Sequence, residues 1–122
     1  MKTQPLTYLT DAVLITAVVP AGRADTLLKA VRDVGAMGGM VHMARGTGAR
    51  ERLGLLGIAI DAEKEVVSVI VPADHHDLIA EAIYNAGELG APGNGYLYMT
   101  ALDRMATYIP DEALARMARG RS

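Results

Sequence analysis

Gly90, Gly93, Asn94 and Gly95 fall within six consecutive positions. In such a run successive backbone N–H groups can turn inward as an anion nest, and without β-carbons nothing obstructs a phosphate oxygen. The same composition also suits a tight turn ahead of a strand. A second stretch runs from Gly48 to Lys64, where Arg50 and Arg52 precede the apolar Leu53, Leu55 and Leu56. Hairpins need only about two to five residues, and loops of this greater size are characteristically functional or disordered. Two readings stand for it. It is a partner-docking loop that changes shape when a ligand binds at its base, or an extra strand that folds back on its own subunit because Leu and Ile rarely stay in water.

Other constellations carry less. His75 and His76 are flanked by Asp74 and Asp77, and His42 lies apart from them. Adjacent histidines on a helix point about 100° apart and do not readily share an ion, so an exposed helix turn is expected there and no metal site. Met37, Met40 and Met43 present thioethers of the kind that hold copper, but in a chain without Phe or Trp, Met reads as filler of an irregular core. The acids and bases outside the expected core, Asp61, Glu63, Glu65, His75 and Glu88, form no recognisable catalytic pairing, and no enzyme activity is expected.

The elements that must position these residues follow from hydrophobic period. Asp11 to Val19 is a continuous apolar, β-branched run that stops at Pro20-Ala21-Gly22, a buried strand. Leu27, Leu28, Val31 and Val34 recur at helical spacing between Arg23 and Val34, with Gly35 as the stop. Met40 to Arg45 reads as strand two and Glu65 to Val71 as strand three. Asp74 is placed to cap a second helix with Leu78, Ile79, Ala82, Ile83 and Ala86 on its apolar face and Gly87 at its end. Tyr96 to Thr100 supplies strand four, Asp111 is placed to cap a short helix over 112–117, and the last residues fray.

Adding 52 to a residue number superposes the halves: Pro20 on Pro72, Asp25 on Asp77, Leu27 on Ile79, Val31 on Ile83, Gly35 on Gly87 and Gly38 on Gly90. Two βαβ units in one small chain predict an α+β, ferredoxin-like βαββαβ domain over 1–122, with both helices on one face of an antiparallel sheet. Nothing in the chain covers the other sheet face, and strands this apolar predict self-association through it. The 122 residues carry 14 acidic and 12 basic side chains, are 51% hydrophobic and lack Cys. That excludes a disulfide scaffold and a thiolate metal site. A pI near 5.9 and few aromatics argue against a nucleic-acid partner. No apolar run approaches the roughly 20 residues of a membrane span, so no membrane insertion and a cytoplasmic location are expected.

From about Ala12 to Tyr108 these residues resemble the PII signal-transduction (nitrogen regulatory protein PII) family. The resemblance rests on the strand ending at Pro20, Gly38 before strand two, and Gly46-Thr47-Gly48, similar to the Gly-Phe-Gly at the base of that family's T-loop. Val71 to Asp74 resembles its Val-Pro-Ala/Asp, and Gly93-Asn94-Gly95, preceded by Gly90, its B-loop Gly-Asp-Gly. What the resemblance implies is a homotrimer that binds an adenine nucleotide between subunits. Its T-loop, about 48–64, would report occupancy to a membrane transporter or metabolic enzyme, and a tail would span about 110–122. Carried over residue by residue, the nucleotide contacts fall on Gly38, Gly46, Gly48, Lys64, Gly90, Gly93, Asn94 and Gly95, and the partner contacts on Arg50, Arg52, Leu53, Leu55 and Leu56.

Departures are equally specific. Tyr96 stands where the family has Lys, Thr107 and Ile109 fall near its two C-terminal arginines, and Arg50 replaces its Gln. Arg45, Arg50 and Arg104 are the candidate substitutes for the missing cations. Each phosphate wants a charge-assisted partner, so the expected regulatory ligand is AMP or ADP rather than Mg-ATP, with no other cofactor. The alternative is a trimer for metal tolerance similar to the CutA family, or a small ferredoxin-like enzyme.

Overall fold

Strands with apolar residues on both faces must be covered or paired along their length, and β1 (Ala12–Pro20), apolar but for Thr16, and β3 (Ala62–Pro72), apolar from Val66 onward but for Ser68, accordingly form the centre of the sheet. The computed structural model describes residues 3–36, 39–46 and 62–120. Its element order is β1, α1 (Ala24–Asp33), β2 (Met40–Gly46), β3, a 3₁₀ turn (Ala73–His75), α2 (His76–Ala86), β4 (Tyr96–Ala101) and α3 (Asp111–Gly120). The sheet is antiparallel in the order β2-β3-β1-β4, the expected ferredoxin-like βαββαβ arrangement with a C-terminal helix. Of the residues expected to bind a nucleotide or a partner, Gly38, Gly48, Arg50, Arg52, Leu53, Leu55 and Leu56 lie outside the described residues.

The core is the layer between α1, α2 and one sheet face. Val13, Ile15, Ala17 and Val19 alternate toward it from β1, and Val67, Val69 and Val71 from β3. Leu27 and Val31 of α1 meet Ile79 and Ile83 of α2 there, so the positions related by the 52-residue repeat are the ones buried against each other. On the opposite face the register sets Met40, Ser68, Thr16 and Tyr98 in one row and His42, Val66, Val18 and Tyr96 in the next. Tyr96 and Tyr98 are about half exposed there and stack with ring centroids 6.4 Å apart.

Several expectations need correction. Met40 and Met43 are not core filler. They are 69% and 60% exposed: Met40 lies on the open sheet face, and Met43 lies on the helix side of an edge strand that neither helix substantially covers. Leu78 is 55% exposed, in an open cleft that it lines with Val34, Gly35 and Ala36 at the end of α1. Asp74 sits inside the 3₁₀ turn, 3.9 Å from His75, and α2 starts after it without a side-chain cap. Asp111 is in the first turn of α3, where the Pro110 carbonyl accepts from Ala113 and Leu114 N–H. β3 begins at Ala62, so residues 62–64, expected in the long loop, are strand.

One feature lies outside the expected plan. The β1–β4 register continues beyond the sheet, from Val13 opposite Ala101 to a bridge between Leu9 and Met105 in the same step. At its far end Gln4 Nε2 donates to the Ile109 carbonyl (2.8 Å), and Ile109 N–H donates to Gln4 Oε1 (3.0 Å). This two-stranded ribbon buries Ile109 and anchors both terminal segments.

Candidate functional site

Register alone brings several expected site residues to one end of the sheet. Gly46 is opposite Ala62, Lys64 lies between Ala44 and Pro20, and Tyr96, just after the glycine loop, is opposite Val18. The strands on either side of the 47–61 connection and the 88–95 loop therefore share that end.

The 88–95 loop is a folded turn. Ala91 N–H donates to the Glu88 carbonyl (3.0 Å), Asn94 N–H to the Ala91 carbonyl (3.4 Å), and Asn94 Nδ2 also to the Glu88 carbonyl (3.0 Å). Closing the turn thus engages two N–H groups that an uninterrupted nest would offer an anion. Those of Gly90 and Gly93 have no hydrogen-bond partner among the described residues. Gly93 adopts φ +81° with open space around it, so conformation alone favours glycine. At Gly95, with φ +107°, a β-carbon would sit 2.1 Å from the Val18 carbonyl oxygen. That glycine is required by the entry of β4 alongside β1, whatever else the loop binds. Gly46 has open space and no positive φ, so its backbone does not require glycine.

The cations divide. Lys64 shares the parity of Val66 and Ser68, faces the open side of the sheet and has no ion-pair partner among the described residues. Arg45 lies 3.9 Å from Glu63, and these two residues line a shallow cleft of about 350 Å³ with Met43 and Ala44. Arg23 lies 3.9 Å from Glu88, which has φ 50°. Arg104 sits at the other end of the molecule, where it contacts Asp103 (3.1 Å) and lies over the Tyr8 ring. The Leu9–Met105 step is nine residues along β1 from Val18, about 30 Å at strand rise, so Arg104 does not serve the loop of its own chain. Thr107 and Ile109 lie on the same distant ribbon.

A residue that the motifs did not single out organises this end. Glu65 Oε1 accepts from Gly22 N–H (2.5 Å) and Ala24 N–H (3.0 Å), capping α1 from the neighbouring strand. Arg23, at the N-cap position, offers no side-chain bond of its own. A signal was available: a carboxylate stands at the helix-facing parity of a strand whose next such positions are Val67, Val69 and Val71.

The acid–base candidates do not converge. Glu63 faces Arg45, Glu65 caps α1, Glu88 faces Arg23, and His75 is at the opposite end of the sheet; Asp61 lies outside the described residues. Among the described residues no three His, Asp or Glu side chains are grouped to hold a metal ion, and no helix is long and apolar enough to cross a membrane.

With this geometry in view, comparison with solved structures is decisive for the fold. The crystal structure of Arabidopsis thaliana PII bound to citrate superposes with a TM-score of 0.59 over 77% of this chain and 79% of that one. The chain has a PII-like fold. Sequence identity over the match is 18%, so the likeness is one of architecture. No family model matches the sequence, and no curated protein matches it. In the PII-like fold the 47–61 connection joins β2 to β3, and the 88–95 loop joins α2 to β4.

Proposed function

We propose that this chain is a non-catalytic regulator of the PII type. It forms a homotrimer through the open sheet face and binds an adenine nucleotide between subunits, AMP or ADP in preference to Mg-ATP. The state of the site is passed through the 47–61 connection to a partner, a membrane transporter or metabolic enzyme. The observation that carries this reading is the meeting, at one end of a PII-like sheet, of a glycine loop whose Gly90 and Gly93 N–H groups have no partner among the described residues, of Lys64, also without an ion-pair partner among them, and of both roots of the long connection. The citrate bound by the Arabidopsis protein lends support, since it is a small polyanion held by a protein of this fold.

Charge sets the preference for fewer phosphates. Lys64 offers one full positive charge at this end, while Arg45 and Arg23 each have a carboxylate at 3.9 Å. One or two phosphates can be matched by Lys64 and backbone donors, whereas among the described residues no further unpaired cation stands at this end for a third. Calorimetry on the trimer, with AMP, ADP and ATP in the presence and absence of Mg²⁺, tests this. Binding of AMP or ADP at least as tight as ATP, with affinity about tenfold weaker in Lys64→Ala, is expected. Absence of binding by any adenine nucleotide, or equal binding by Lys64→Ala, refutes the reading. Gly95→Val is not a usable probe, because its side chain would first displace β4 from Val18.

A further inference from the structure

We propose that His42 makes assembly of this protein pH-dependent, its protonation opposing closure of the open sheet face. The inference rests on the reading above that copies assemble through that face, and it follows from which charged groups share the face with His42.

His42 is exposed in the single chain and stands in a row with Val66, Val18 and Tyr96. Its same-face neighbours along β2 are Met40 and Ala44, neither of which can take up or return a proton. From β3 the charged neighbour is Lys64, diagonal to His42 because it pairs with Ala44, at the roughly 7–8 Å of such pairs. β1 presents only Ala12, Leu14, Thr16, Val18 and Pro20 on this side, and β4 presents Thr100 and the phenols Tyr96 and Tyr98. Glu63 and Glu65 point to the other face, toward Arg45 and the start of α1 respectively. The helices α1 and α2 pack on that other face with their own charges. α3, with Asp111, Glu112, Arg116 and Arg119, approaches the sheet where Met117 lines a cleft with Ala12 and Pro72. That is six residues along the strands from Val18 and Val66, about 20 Å.

Among the described residues, then, no carboxylate shares the face on which His42 lies, and the nearest charge is a cation. A neutral imidazole can be enclosed against apolar side chains, whereas an imidazolium beside Lys64 loses its hydration and gains only repulsion. Histidine is the side chain that takes up a proton between about pH 8 and 5. Assembly therefore releases protons. Association strengthens as pH rises and weakens as pH falls.

Sedimentation velocity at micromolar concentration, at about pH 8 and about pH 5.5, reads this directly. For the wild-type chain the dissociation constant is expected to rise at least about tenfold at the lower pH. His42→Gln and His42→Leu remove the response, and Lys64→Met makes it shallower, with circular dichroism confirming that each variant is folded. A protein that is monomeric at both pH values refutes the use of this face for assembly, and the present proposal with it. An assembly indifferent to pH, or one whose response persists in His42→Gln, refutes the role of His42 alone.

Discussion

Removing the Glu65 carboxylate tests whether the start of β3 holds the N-terminus of α1 in place. An α-helix leaves its first N–H groups without intrahelical partners, and in α1 no side chain local to the N-cap fills that role. Glu65 accepts two N–H bonds there, from Gly22 and Ala24, and places a negative charge at the positive end of the helix. A lost cap costs about 1 kcal/mol, the dipole interaction contributes about 0.5 kcal/mol, and a second bond to a charged acceptor in this half-buried position brings the sum to about 2–3 kcal/mol. Glu65→Gln keeps an oxygen that can accept one bond but loses the charge, and is expected to cost about half as much. Denaturant unfolding at fixed protein concentration gives the comparison, and the thermal midpoint should fall by about 4 °C per kcal/mol for a domain of this size. Glu63→Ala is the control, since its contact with Arg45 is exposed and 3.9 Å long and should contribute under about 0.5 kcal/mol. If Glu65→Ala costs no more than Glu63→Ala, the capping argument is wrong.

Gly95→Ala should cost about 3 kcal/mol or more, because its β-carbon meets the Val18 carbonyl, whereas Gly93→Ala carries only the strain of its φ, about 1–2 kcal/mol; unfolding midpoints should separate the two. Ile83→Ala, in the fully buried contact between the helices, should cost about 2–5 kcal/mol, and Leu78→Ala on the exposed side of α2 under about 1 kcal/mol in the same assay. Gln4→Ala should leave the sheet intact but speed hydrogen exchange of the Ile109 amide at least about tenfold, since both bonds joining the ends of the ribbon pass through that side chain.

The parts of this architecture legible in the sequence were those written as local periodicity. The runs from Ala12 to Val19 and from Val66 to Val71 are apolar on both faces but for Thr16 and Ser68, and they occupy the centre of the sheet. Leu27, Val31, Ile79 and Ile83, equivalent under the 52-residue repeat, meet in the core. What remained hidden depended on partners far apart in sequence. The Gln4–Ile109 bonds span 105 positions and leave no pattern in either segment. Composition placed Met40 and Met43 inside because Met fills gaps where aromatics are few, but exposure was decided by the open sheet face at Met40 and by the sheet edge at Met43. In the glycine loop, residue types indicated a backbone requirement without separating its causes: conformation alone at Gly93, and close approach of another strand at Gly95.

Lys64 and Glu65 are consecutive on a strand and therefore point to opposite faces, and their division of labour bears on how the proposed binding event at this end would be transmitted. Glu65 ties the β3 root of the long connection to the N-terminus of α1, and through α1 to the core between the helices. Among the described residues the β2 root has no comparable anchor. Gly46 closes an edge strand, and the side-chain link across to β3 is the exposed 3.9 Å contact of Arg45 with Glu63. On the proposed function, a ligand held by Lys64 would act on the open face while Glu65 holds β3 from behind, and any displacement would fall on the β2 side. That is the side on which Met43, Ala44 and Arg45 line the cleft with Glu63, and on which His42 stands. Under the two proposals above, occupancy at Lys64 and assembly at His42 would be coupled, because Lys64 and His42 are diagonal neighbours on the open face across the β2–β3 pair.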